Sequence, residues 1–231
     1  MHPYQAQLEA VQQALKGEAD SMRAAAMRAY MRGRFPFLGV PTPLRRTATA
    51  AFCRQPLDAE VLLGMAEALW ALPEREYQYV AVDLLGRQWK TLGPAHVEAL
   101  LALASRGAWW DTVDSLAGVI GDLLRRARRR DGAEDVQRCM DCALQHEDPW
   151  RRRVAMIHQL GWRAETDSDR LFRYALALSG EPDFFIRKAI GWALRDYARH
   201  DPAAVLAFLQ GEGGRLSPLS RREAGRHLRR S

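Results

Sequence analysis

Lysine is nearly missing from this chain. Lys16, Lys90 and Lys188 are the only lysines among 34 basic residues, and the rest are arginine. A GC-rich coding bias gives such a composition. So does a phosphate-binding surface, because arginine grips phosphate through a planar fork that lysine lacks. The formal net charge of +6 is compatible with a nucleic-acid partner without establishing one. Cysteine is scarce too: Cys53, Cys139 and Cys142 make three, an odd number that argues against a disulfide framework. Cys139-Met-Asp-Cys142 has C-x-x-C spacing, yet no second such pair or paired histidines accompany it, so it reads as ordinary helix sequence. None of the six histidines forms H-x-x-x-H, and neither a metal nor a cofactor is expected. No apolar run reaches the roughly 18 residues that a bilayer span needs. The first residues, MHPYQAQLEAVQQALKGEAD, lack the apolar centre of a secretory signal. The expectation is a cytoplasmic protein with no membrane contact.

Strand-like alternation is also nearly absent, while helical periodicity runs end to end. Helices are predicted near 3–16, 20–32, 42–54, 58–71, 74–91, 94–105, 110–129, 132–146, 149–163, 168–180, 183–199, 202–210 and 217–229. Short breaks carrying Pro, Gly or Asp separate them, and proline in a first turn beside an acidic residue is a start signal. Helix pairs recurring about every 35–40 residues predict an all-α fold, an α-solenoid of HEAT-like repeats. No linker divides the chain, so residues 1–231 read as one curved domain with a concave binding face.

Some helix faces are poor core material. In 110–129 the apolar stripe is Val113, Leu116, Ala117, Ile120, Leu123 and Leu124. About 100° away run Trp110, Asp114, Gly118, Gly121 and Arg125. Two interior glycines destabilise a helix by roughly 1 kcal/mol each relative to alanine, so they imply a close neighbour or ligand. Locally, Asp111-Thr-Val-Asp114 resembles a capping box with Asp111 at the N-cap and Asp114 at the third position, and Trp109 and Trp110 read as core, so spacing alone favours a structural part. In 183–199 the core stripe is Ile186, Ala189, Ile190, Ala193, Leu194 and Tyr197, and Lys188, Trp192, Arg195 and Arg199 form a separate stripe. That stripe suits sugar-phosphate contact, or a tryptophan packed on the next repeat among solvated charges. In 149–163, with Val154, Ile157 and Leu160 inward, Arg151, Arg152 and Arg153 crowd a first turn where the helix dipole opposes cations, so each needs an anionic partner or solvent. The run LLRRARRR at 123–130 ends a helix and reads as a solvated basic cap. The C-terminal stretch contributes Arg221, Arg222, Arg226, Arg229 and Arg230.

Six blocks in order carry a family likeness: MRAYMRGRFPFLGVPTPLRR (27–46), REYQYVAVDLL (75–85), WWDTVDSLA (109–117), PWRRRVAMIHQL (149–160), DFFIRKAIGWALRDYA (183–198) and LSPLSRREA (216–224). Through them the chain resembles the AlkD-type DNA alkylation repair family of HEAT-like-repeat DNA glycosylases. The resemblance implies excision of cationic N3- and N7-alkylated purines from duplex DNA, held in a concave cleft without full base flipping. It implies Trp110, Asp114 and Arg153 as catalytic residues. It places Trp192 in the same cleft and Tyr30 near the DNA. Lys188, Arg195, Arg152, Arg221 and Arg222 complete the expected DNA-contacting set. The partner would be double-stranded DNA containing alkylated purines, and the protein a nucleoid-associated bacterial monomer.

The chemistry suits these residue types. An alkylated purine already carries positive charge and leaves without an acid. Positive charge then develops on the sugar, as in glycoside cleavage, and one ionised carboxylate, Asp114, can stabilise it. Arg153 would hold the lesion phosphate and set the register of the sugar. Two other readings stay open: a non-catalytic HEAT-repeat scaffold binding DNA or protein, and a self-resistance glycosylase for a bulky natural-product adduct.

Overall fold

The computed structural model describes residues 4–131, 134–226 and 228; Arg229 and Arg230 lie outside them. The described residues form fourteen α-helices with short 3₁₀ turns and no strand. The chain divides into two compact units, 1–92 and 93–231. The first holds α1 (Gln5–Lys16), α2 (Ser21–Tyr30), α3 (Thr42–Ala48), α4 (Ala50–Arg54), α5 (Ala59–Trp70) and α6 (Arg75–Gln88). The second holds α7 (Val97–Ser105), α8 (Trp110–Asp131), α9 (Arg138–Leu144), α10 (Pro149–Ile157), α11 (Ser168–Ala177), α12 (Phe184–Ala198), α13 (Pro202–Gly211) and α14 (Pro218–Ala224). No helix among the described residues is long and apolar enough to cross a membrane.

The helix starts follow from local chemistry. Asp20, Asp58, Asp148, Asp167, Asp183, Asp201 and Ser217 each accept a first-turn backbone N–H. At Asp148-Pro149, Asp201-Pro202 and Ser217-Pro218 the cap is followed at once by proline, whose missing N–H is harmless there. Two expected helices are broken. The segment 42–54 splits at the buried Thr49, whose hydroxyl donates to the Arg45 carbonyl at 2.9 Å, a back-bond that bends helices. The segment 149–163 stops at Ile157, because Gly161 and Arg163 turn left-handed at φ +78° and +55°. Leu160, read as inward, is therefore 38% exposed.

In the first unit α5 and α6 pack against each other, and Leu62, Met65, Leu69, Tyr77, Val80 and Leu84 on them are buried. The buried Glu76 carboxylate accepts the N–H groups of Leu38, Gly39 and Val40 at 3.0, 2.8 and 3.1 Å. The Arg75 guanidinium lies 3.8 Å from the centre of the Phe35 ring. These contacts pin the FPFLGVP stretch to α6. Gly39 is obligatory there, since its φ is +87° and a Cβ would sit 2.0 Å from the Asp20 carbonyl oxygen.

In the second unit α10 is the hub, touching α7, α8, α9 and α12. The expected core stripes of α8 and α12 are all buried. The two glycines of α8 have different reasons. A Cβ on Gly121 would lie 1.9 Å from the His158 carbonyl oxygen, so this glycine lets the end of α10 close on α8. Gly118 is exposed, and nothing lies within 4 Å of where its Cβ would be. Gly118→Ala is expected to stabilise the protein by about 0.8–1 kcal/mol from helix propensity alone. Gly121→Ala must push α10 away and is expected to destabilise by about 1–3 kcal/mol. Thermal unfolding of the two variants side by side checks the opposite signs.

Candidate active site

The WWDTVD stretch begins α8. Trp109 is core: its ring packs 4.8 Å from Phe185 and 5.8 Å from Trp150, centre to centre. Its carbonyl accepts the Val113 N–H at 3.1 Å, so the helix starts at Trp110 with Trp109 at the N-cap position. Asp111 is thus inside the first turn, and the Asp111–Asp114 pair is out of register for the capping box it resembled. The helix dipole still favours Asp111 there. Asp114 sits one turn further in, on the face of Trp110. Both side chains are half-buried.

The three arginines of the α10 first turn each find an anion. Arg151 donates to Glu98 at 2.7 Å, and Arg152 lies 3.1 Å from Glu181. Arg153 forms a two-pronged pair with Asp114, Nε to Oδ1 and Nη2 to Oδ2, both 2.7 Å. Its remaining nitrogen donates to the Phe185 carbonyl. Cations that oppose the local dipole are thereby compensated by carboxylates reaching in from α7, from α8 and from the turn before α12.

Two residues expected at the DNA are bonded within the protein. Arg153 was expected to hold a DNA phosphate. Its side chain is 1% exposed with its donors aimed at Asp114 and the Phe185 carbonyl. Arg152 was expected to touch DNA. It instead donates to the His146 and Glu147 carbonyls at 2.6 and 2.8 Å, besides facing Glu181.

Trp192 closes the group from α12, half-buried, with the Arg153 guanidinium carbon 5.4 Å and Lys188 Nζ 5.9 Å from its ring centre. Lys188 and Arg195 are both held by Glu223 of α14, at 2.7 and 2.5 Å, and that carboxylate is 5% exposed. Pairing with these cations keeps its pKa below the ordinary range, although burial opposes. Gly191 permits this docking, because a Cβ there would meet Glu223 Cβ at 2.4 Å. Arg221 and Arg222 are exposed on α14. Tyr30 ends α2 in the first unit, 72% exposed.

Asp114 is held between opposing influences. Burial pushes its carboxyl above the usual carboxylate value, the Arg153 pair pulls it down, and Asp111 adds a small upward push; burial prevails. The Cys139 thiol donates to the Val136 carbonyl at 3.2 Å, and burial raises its pKa, which disfavours the thiolate. Glu181, Glu223 and the Phe185 carbonyl were not foreseen as parts of this site. The one sequence signal for them was the need of each crowded cation for a counter-charge.

A partly exposed carboxylate fixed by a buried arginine, with Trp192 beside that arginine, can stabilise a nearby cation or accept a proton. A family model described as DNA alkylation repair enzyme matches residues 11–228. The chain belongs to this family. A solved structure from Enterococcus faecalis, described as a predicted DNA alkylation repair enzyme, is similar at 31% identity and a TM-score of 0.85, over 93% of this chain and 98% of that one. AlkD2 from Streptococcus mutans shares the fold at 18% identity and a TM-score of 0.60, over 77% of this chain and 86% of its own. Comparison with curated proteins finds no match. The family fold is the AlkD-type arrangement of helical repeats, in agreement with the all-α reading.

Proposed function

We propose that this member of the family is a monofunctional DNA glycosylase that hydrolyses the N-glycosidic bond of cationic N3- and N7-alkylated purines in duplex DNA. The observation that carries the reading is the Asp114 carboxylate, 22% exposed and clamped in a bidentate pair by the buried Arg153 beside Trp192. The bond between C1′ and the base nitrogen breaks with its electron pair going to the purine, which leaves neutral because it began cationic. Water adds to C1′ and its proton passes to Asp114. Until then the ionised Asp114 faces the positive charge developing on the sugar, and a prepositioned group of this kind is worth roughly 10²–10³ in rate. Trp110 and Trp192 offer ring faces to the cationic sugar and base. Lys188, Arg195, Arg221 and Arg222 supply cations for the backbone, and Tyr30 is a further DNA contact.

Purified protein incubated with methylated duplex DNA is expected to release 3-methyladenine or 7-methylguanine, read by chromatography of the free base. A fully paired carboxylate is also what a purely structural ion pair looks like, and this is the observation that favours a non-catalytic scaffold. Tight duplex binding with no release of methyl or bulky alkylpurines decides for the scaffold. Release of bulky adducts alone decides for a specialised resistance enzyme.

A further inference from the structure

The C-terminal end of α8 holds a second cation cluster that the reaction above does not use. Arg125 and Arg129 both bind the carboxylate of Glu165, which lies in the short 3₁₀ turn Arg163–Glu165. Arg128 donates to the Glu165 backbone carbonyl at 2.9 Å. Together with Trp162 and Ala164 these side chains line a cavity of about 330 Å³. The turn is shaped to put Glu165 there: Arg163 is held at φ +55°, a region a side chain rarely adopts, and the Gly161 N–H is anchored on Asp196 at 2.7 Å. Strain of this kind persists only where its surroundings enforce it.

The charges do not balance. The Glu165 carboxylate pairs with Arg125 and Arg129, Arg128 reaches its backbone carbonyl, and Asp122 adds an attraction to Arg125, while the three guanidiniums, three and four residues apart, repel one another. The negative end of the helix dipole offsets only about half a charge. The Arg125 and Arg129 pairs hold Glu165 down at about 2, so its charge is already fully present. Arg128 and Arg129 are exposed, and Arg125 retains 27% of its side-chain surface. At 100° per residue Arg125 lies about 20° round α8 from Asp114, and Arg129 about 60°. They follow Asp114 by about 16 and 22 Å along the helix, roughly five to seven base-pair rises of a duplex.

We propose that Arg125, Arg128 and Arg129 form a phosphate-binding station for the duplex backbone, with Glu165 as a built-in competitor that organises the same arginines when DNA is absent. This rests on the DNA-acting reading above. The competitor gives the proposal a sign that a structural salt bridge does not share: removing the negative charge tightens DNA binding. Affinity for an unmodified 20-base-pair duplex is measured by fluorescence anisotropy across a salt series, with thermal unfolding of each variant alongside. Arg128→Gln/Arg129→Gln is expected to weaken binding about three- to ten-fold and to lower the slope of log affinity against log salt by about 1–2. Glu165→Gln is expected to tighten binding several-fold. Because Glu165→Gln leaves all three arginines in place, it decides the matter even if the double variant folds poorly. Unchanged or weaker binding by Glu165→Gln, or an unchanged affinity and slope in a folded double variant, overturns the proposal. Wild-type protein that fails to bind duplex overturns the proposed function instead, so the two failures are separable.

Discussion

Asp114→Asn is expected to lower single-turnover release of alkylpurine by at least about 10²–10³-fold, the value of one prepositioned electrostatic group. Duplex affinity should stay within about two-fold, because binding is dominated by backbone phosphates. The choice of asparagine matters. Arg153 is 1% exposed and would be left as an uncompensated buried cation by Asp114→Ala. Breaking a buried pair in that way destabilises by about 3–5 kcal/mol. Asparagine keeps one carbonyl acceptor for the guanidinium, and the Phe185 carbonyl still holds its third donor. A smaller loss, about 1–3 kcal/mol, is then expected, visible as a lowered melting temperature in a folded protein. Loss of excision with binding retained assigns the chemistry to Asp114. Retained excision removes it from the mechanism, whatever the variant does to stability.

The fold was legible where periodicity carries the information. The buried stripes of α8 and α12 follow from 3.6-residue spacing alone, and the Asp-Pro and Ser-Pro starts follow from capping chemistry. Misreadings arose where backbone geometry competes with side-chain pattern. Asp111 has the right residue type for an N-cap, but the chain turns helical one residue before it. Leu160 has the right spacing for the core, but α10 has ended by then. The division at Leu92 and Gly93 falls on one of several similar short breaks, with no change of composition to mark it.

The site was half legible for a related reason. A tryptophan and an aspartate four apart on one helix are visible locally, and so is the strain of three arginines in a first turn. Which carboxylate answers which arginine is not, because the partners lie far along the chain: Asp114 39 residues before Arg153, Glu181 29 after Arg152 and Glu223 35 after Lys188. Close helix packing at Gly121 draws α10 onto α8, and at Gly191 draws Glu223 onto α12. The consequence is chemical. On the proposed reading, an arginine assigned to phosphate becomes, once its partner is known, the group that aims and tunes the carboxylate.

That role makes Arg153→Met the second large prediction. Methionine fills much of the space without a charge, so Asp114 loses the one influence that lowers its pKa, while burial and Asp111 still raise it. The fold should lose about 3 kcal/mol, less than for a fully buried acid because Asp114 retains 22% of its side-chain surface and can take up a proton. On the proposed mechanism excision requires ionised Asp114, so in wild type it is expected to be lost as pH falls through a folded pKa that burial holds above the ordinary carboxylate value. Arg153→Met is expected to move that acid limb to higher pH, with part of the lost rate recovered on raising the pH toward 9. The stability sign is opposite: a raised carboxylate pKa favours the folded state at low pH, and that contribution is lost as pH rises through the folded value. Wild type should therefore gain catalytic competence over the same interval in which Asp114 stops stabilising the fold. If Arg153 were only a packing residue, Arg153→Met would lower the rate by one factor at every pH and leave the limb where it was. A pH–rate profile under single-turnover conditions separates the two.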